Sequence, residues 1–280
     1  MSTPTRRPRI GLALGGGGAR GVAHVGVVRA LEEEGLRADV VAGTSSGAIV
    51  GALYCYGATA DELQAFARVG IGVKLLRFGN PLRGLIKLSL LREKLEAVLP
   101  TDDFSCLRTP LTVTTANLQH GELRLFSEGP LIAAVQASCA VPLIFHPVEI
   151  DGEQYIDGGL YMNLPSPPIR EACDILIGSN VMPIEQAEVG RLSSVLSISN
   201  RVFDMAVHHN AFEARGLCDV LIEPDELRGH HVYNFARPDA LVEVGYREAK
   251  RRMPALRRLI AGFGRGGAAR GEVRLQAGGR

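Results

Sequence analysis

Ser45 lies in Gly43-Thr44-Ser45-Ser46-Gly47, between the apolar run Val40-Val41-Ala42 and a stretch of small and apolar residues that starts at Ala48. A serine hydroxyl is a weak nucleophile until its surroundings activate it. On a sharp strand-to-helix turn the serine takes a strained backbone conformation that points Oγ outward. The helix N-terminus behind it then favours the negative charge that develops as a carbonyl is attacked. Gly43 and Gly47 flank the serine where side chains would strike the neighbouring strand and helix. The bland alternative is a helix cap, with Ser45 as N-cap and no chemistry. A second glycine turn upstream, Gly15 to Gly21, tells against it. Gly16-x-Gly18-x-x-Gly21 itself has two readings. It fits a dinucleotide fingerprint, with Asp39 roughly where a ribose-binding acid falls. It equally fits an oxyanion hole, in which glycine N–H groups hold a carbonyl oxygen as it becomes negative. The elbow that closes the following strand favours the second.

The elements needed to position these groups are legible. Ile10 to Leu14 reads as a buried strand, and Val22 to Glu34 has helical spacing with Gly35 as its stop. Strand, glycine turn, helix and the Val40 strand make a βαβ unit, and hence a parallel sheet. Further along, Thr59 to Val69 is expected to be a helix capped by Thr59, and Leu91 to Leu99 another. Leu111 to Ala116 and Leu123 to Phe126 are expected to pair as strands, and Pro130 to Cys139 to be helical. Val148 to Ile156 reads as a hairpin about Asp151-Gly152. Helices are expected at Pro165–Cys173, Ser193–Arg215 and Pro238–Phe263, with strands at Asp174–Asn180 and Val220–Pro224. The stretch 70–91 alternates apolar and basic residues. It could cover an acyl channel or an anionic lipid surface. A pair of ordinary surface helices is the favoured account.

Composition narrows the function classes. The chain has 280 residues, 46% of them hydrophobic, enough for one sizeable core. Lys plus Arg number 31 and Asp plus Glu 30, so bulk charge gives no argument for nucleic acid. The five cysteines show no paired spacing, which speaks for reduced thiols in a cytoplasmic protein and against a disulfide framework or a zinc site. No apolar run reaches bilayer-spanning length.

Taken in order, Gly16-Gly17-Gly18-Ala19-Arg20-Gly21, Gly43-Thr44-Ser45-Ser46-Gly47 and Asp157-Gly158-Gly159 resemble the patatin-like phospholipase family. Within it they are most similar to compact bacterial members related to the lysophospholipase domain of neuropathy target esterase. Ala137 to Phe145 and Asn163-Leu164-Pro165 extend the similarity, which runs from about residue 9 to about residue 181. The resemblance implies a three-layer α/β/α fold with a mainly parallel central sheet. It implies a Ser–Asp dyad in which Asp157 takes the proton from Ser45, and an oxyanion hole built from Gly16, Gly17, Gly18, Arg20 and Gly21, with the Gly17 and Gly18 N–H groups holding the oxygen. Gly43 and Gly47 would form the nucleophile elbow, and Gly158 and Gly159 the acid's turn. Arg20 would orient the glycine turn; its charge could instead meet a phosphate. Phospholipid, lysophospholipid or another fatty acyl ester would be the substrate, with no cofactor or metal, at the cytoplasmic face of a membrane or free of it.

A triad would instead need His208, His209, His230 or His231, and none stands in a context that marks it as a base. His24 and His146 read as structural. Two rivals remain open from sequence: a non-catalytic lipid-binding or regulatory member of the same family, and a nucleotide-binding protein using the glycine turn. The domain reading is residues 1–8 disordered, 9–263 a single hydrolase domain, and 264–280 a flexible Gly/Arg-rich tail.

Overall fold

The computed structural model describes residues 6–68, 88–183 and 193–263. The expected tail 264–280 and most of the basic stretch 70–91 lie outside these residues. In order the elements are β1 (Ile10–Leu14), α1 (Ala23–Glu33), β2 (Val40–Thr44), α2 (Ser46–Tyr56), α3 (Ala60–Arg68) and α4 (Ser89–Glu96). Then come β3 (Leu111–Asn117), β4 (Glu122–Phe126), α5 (Leu131–Ser138), β5 (Val148–Ile150), β6 (Glu153–Asp157) and α6 (Pro167–Arg170). The chain continues through β7 (Ile175–Ser179), α7 (Val195–Gly216), β8 (Val220–Ile222) and α8 (Pro238–Phe263).

One eight-stranded sheet carries the domain, in the order β5-β6-β3-β2-β1-β7-β8, with β4 paired to β3 off this path. The five strands β3-β2-β1-β7-β8 are mutually parallel. β4, β5 and β6 join by antiparallel pairing. The expected parallel sheet is therefore its centre and one flank, and the hairpin end is antiparallel. That hairpin turns at Asp151 and Gly152, both at positive φ, the pair of left-handed residues a tight two-residue turn demands.

Side chains alternate across the sheet with period two. Leu12 and Leu14 of β1, Val41 of β2 and Ile175 and Ile177 of β7 join the main core with α1, α2, α5 and α8. Ala13, Ala42 and Leu176 face the other way, against Ile169 of α6 and Ala211 and Ala214 of α7. Helices thus cover both faces, the three-layer arrangement. On the main face α1 and α8 cross at backbone contact: a Cβ on Gly26 would lie 2.0 Å from the Val242 carbonyl oxygen, and one on Gly245 would lie 1.9 Å from that of Ala23.

Two local readings change. The helix expected over Pro165–Cys173 is one turn, Pro167–Arg170, because Pro167 and Pro168 open it and the chain must descend at once into β7. Arg6 and Arg7, placed in the expected disordered N-terminus, form ion pairs with Asp174 at 2.6 Å and Asp39 at 2.6 Å.

Candidate active site

Ser45 stands between the end of β2 and the start of α2 with φ 53° and ψ −123°. A non-glycine residue at positive φ carries strain of about 1–3 kcal/mol, so the surroundings must enforce it. They do so through close approach. A Cβ on Gly43 would sit 2.6 Å from the Gly47 carbonyl oxygen, and one on Gly47 only 2.2 Å from that of Leu14. The Ser45 N–H donates to Ser138 Oγ at 2.7 Å, which ties the elbow to α5.

Asp157 ends β6, opposite Thr115 of the antiparallel flank. It is 2% exposed, its carboxylate accepts from the Gly159 N–H at 2.8 Å, and it lines the same cavity as Ser45. Burial pushes its pKa up to about 7, although the neighbouring Ser45 hydroxyl and the Gly159 N–H oppose the rise. Gly158 is needed because a Cβ there would meet the Thr114 backbone at 2.5 Å. The two halves of the site are also laced together below the surface. Thr114 Oγ1 donates to Thr44 Oγ1 at 2.7 Å, and Thr44 Oγ1 donates to the Met162 carbonyl at 2.9 Å.

The glycine turn packs against both halves. Backbone donors here can be accounted for one by one. The Gly16 N–H goes to the Asn163 carbonyl, that of Ala19 to Val232 and that of Arg20 to Gly17. Those of Gly17 and Gly18 take no acceptor among the described residues. Of the five residues expected to form the oxyanion hole, these two keep a donor free. Gly16 and Gly21 serve by being small: a Cβ on Gly16 would lie 3.1 Å from Ser45 Cβ, and one on Gly21 would lie 2.1 Å from Ser46 Oγ. Arg20 is buried, and its Nε donates to the His230 carbonyl at 2.5 Å. That bond ties the glycine turn to the chain at His230.

No histidine among the described residues hydrogen-bonds Ser45 or Asp157. His24 is fully buried, with Nε2 2.7 Å from the Gly15 carbonyl and Nδ1 2.8 Å from Ser179 Oγ. The carbonyl can only accept, so Nε2 carries the proton and Nδ1 accepts from the serine. Desolvation lowers its pKa to about 4, which keeps it neutral. It fastens the root of the glycine turn. Asp39 receives the Ile10 N–H and the Arg7 guanidinium at the N-terminal end of β2, the edge of the sheet away from the glycine turn. That is the wrong end for a ribose-binding acid.

Two cavities meet at Ser45. One is lined largely by apolar side chains, including Val25, Ile49, Leu53, Phe66 and Phe145. The other, smaller one holds Asp157, Asn163, Asp204 and the three glycines Gly16, Gly17 and Gly18. Gly18, Ser45, Val141 and Tyr233 border both.

Three contributors escaped the sequence reading. Asn210 of α7 donates to the Gly159 and Leu160 carbonyls at 2.7 and 3.1 Å, and its Oδ1 accepts from the Asn163 N–H at 2.8 Å. Ser138 holds the elbow amide, and Tyr233 stands at the junction of the cavities. None lies in a glycine turn or next to a reactive residue in sequence.

The patatin-like phospholipase family model matches residues 12–169, more than half of the chain. The chain belongs to the patatin-like phospholipase family. It is 35% identical over 190 residues to an uncharacterized NTE family protein of Mycobacterium tuberculosis, covering 65% of this chain and 52% of that one. It is 32% identical over 165 residues to human patatin-like phospholipase domain-containing protein 6, covering 56% of this chain and 12% of that protein. The lysophospholipase NTE1 of Mycosarcoma maydis is 33% identical over 165 residues. The chain thus spans about half the length of the mycobacterial relative and far less of the others. Among solved structures, VipD of Legionella pneumophila superposes with a TM-score of 0.51 at 16% identity, over 91% of this chain and 68% of VipD. It shares the patatin fold. No described helix is long and apolar enough to cross a membrane.

Proposed function

We propose that this chain hydrolyses fatty acyl esters of lipids with a Ser45–Asp157 dyad. The observation that carries the reading is that Ser45, held at positive φ on its turn, and the buried Asp157 line one cavity, which meets a largely apolar one at Ser45. The acyl chain occupies the apolar cavity. The alcohol part extends into the smaller cavity beside Asp157 and Asn163.

Asp157 accepts the Ser45 proton as Oγ attacks the ester carbonyl. The carbonyl oxygen becomes negative and takes the Gly17 and Gly18 N–H groups, donors that are already oriented before the reaction. The tetrahedral adduct collapses, the C–O bond to the alcohol breaks, and Asp157 returns its proton to the departing oxygen. Water then attacks the acyl-serine with Asp157 again as base, and fatty acid leaves. A carboxylate with its ordinary pKa of about 4 is a poor base, and raising it toward neutrality improves the match to the working pH.

A panel of p-nitrophenyl esters of increasing chain length, with lysophosphatidylcholine and diacyl phosphatidylcholine beside it, tests this reading. Hydrolysis should rise from short to long acyl chains and vanish in Ser45→Ala. No turnover of any ester by the folded chain would favour a lipid-binding, non-catalytic role.

A further inference from the structure

Helix α7 has two apolar faces. Its inner face buries Val207, Ala211 and Ala214 and carries Asn210 into the Asp157 turn. On its outer face Val195 is 83% exposed, Ile198 49%, Val202 60%, Met205 54% and Phe212 72%. Five of the twelve large apolar side chains exposed among the described residues therefore sit on this one helix, as a contiguous stripe and not as isolated surface residues. A helix that is apolar on both sides is one that is covered on both sides.

The spacing says what covers it. The stripe runs 195, 198, 202, 205, 209 and 212, a 3-4-3-4-3 alternation in which exposed His209 fills the remaining place. On a straight helix such a stripe drifts by about 20° per heptad, and a second helix winding with it keeps contact along its length. The stripe is also self-complementary about a two-fold axis. With two copies antiparallel, Val195 meets the second copy's Phe212, Ile198 meets His209, and Val202 meets Met205, each contact occurring twice. The helix carries Arg201 and Arg215 against Asp204 and Glu213, so it has no net charge to repel its copy. Arg215 is already paired with Glu223 at 2.6 Å. The basic rim by which an interfacial helix grips anionic lipid is missing from α7.

We infer that the outer face of α7 is a homodimer interface, in which two copies of this chain pair their α7 helices antiparallel through Val195, Ile198, Val202, Met205 and Phe212. The same helix braces Asp157 through Asn210, so the dimer would stiffen the acid half of each site.

Light scattering on the complete chain at micromolar concentration tests the inference. The expected mass is twice that of one chain. The double substitution Val202→Glu, Met205→Glu should halve it while the melting transition stays cooperative, since both side chains are more than half exposed. Leu259→Glu, on an exposed site of α8, should leave the mass doubled. A single-chain mass at every concentration, or a dimer that survives the double substitution, would overturn the inference. A chain that stays monomeric alone but floats with phosphatidylcholine vesicles, and loses that binding on the double substitution, would give the stripe to lipid and overturn it too.

Discussion

The two halves of the site are built in opposite ways. The Ser45 half is local: β1, the glycine turn, α1, β2 and the elbow follow one another within 10–56, and steric necessity sets each piece. The Asp157 half is assembled at long range. Its acid ends a β6 strand paired antiparallel to β3, its turn hangs from Asn210 of α7, and Ser45 lies more than a hundred residues earlier. A nucleophile fixed by close backbone packing tolerates no added atom nearby. A base held by hydrogen bonds and burial can be loosened by degrees.

The comparison is broken most sharply at the nucleophile. Ser45→Ala should lower ester hydrolysis by at least about 10⁴-fold, whereas Ser46→Ala, on the first turn of α2, should keep a substantial fraction. Equal losses in a kinetic assay would mean the elbow presents the wrong serine. Ser45→Gly should be equally inactive yet melt above Ser45→Ala, because glycine accepts a φ of 53° without strain. Gly47→Ala comes next. Its Cβ would lie 2.2 Å from the Leu14 carbonyl, a backbone contact with nowhere to go, so stability should fall by several kcal/mol. A near-normal melting temperature for that variant would show the elbow to be looser than described.

The acid half should respond more gently. Asn210→Ala leaves the Gly159 and Leu160 carbonyls and the Asn163 N–H without their partner. A loss of about 1–3 kcal/mol is expected, with kcat reduced more than KM because the acid and not the acyl cavity is displaced. An unchanged kcat would remove α7 from the positioning of Asp157. A pH-dependent effect concerns His24. Its pKa is about 4 in the fold and about 6.5 in the unfolded chain, so between these values the unfolded state holds the extra proton. Stability should fall as pH drops from about 6.5 toward 4, and His24→Gln should flatten that slope in denaturant melts.

The same contrast explains what could be read from the sequence. The βαβ unit, the elbow and both glycine turns were legible because contiguous residues carry their own steric reasons. So was the hairpin, from Asp151-Gly152. Asn210, Ser138 and Tyr233 were not, because a side chain that braces a distant turn has no local signature. Gly17 and Gly18 are the donors expected from the sequence, and the N–H groups of their neighbours Gly16, Ala19 and Arg20 go to the carbonyls of Asn163, Val232 and Gly17. The helix at Pro165 shortened because the demands of β7 outweigh local propensity.

Asp157 also sets function against stability. Its pKa of about 7 in the fold lies above the unfolded value of about 4, so the fold holds a proton there that the unfolded chain releases. Stability should fall as pH rises through that window, and Asp157→Asn, which cannot ionise, should melt above the parent at pH near 8, by less near pH 5. The most direct test of the dyad is the rate at which a fluorophosphonate labels Ser45, followed against pH in the parent and in Asp157→Asn. The parent rate should fall on a single acid limb centred near pH 7, as Asp157 takes up its proton. In Asp157→Asn the labelling should be slower by about 10²–10⁴-fold and lose that limb. Parent-like labelling by folded Asp157→Asn, with the same limb, would contradict the account.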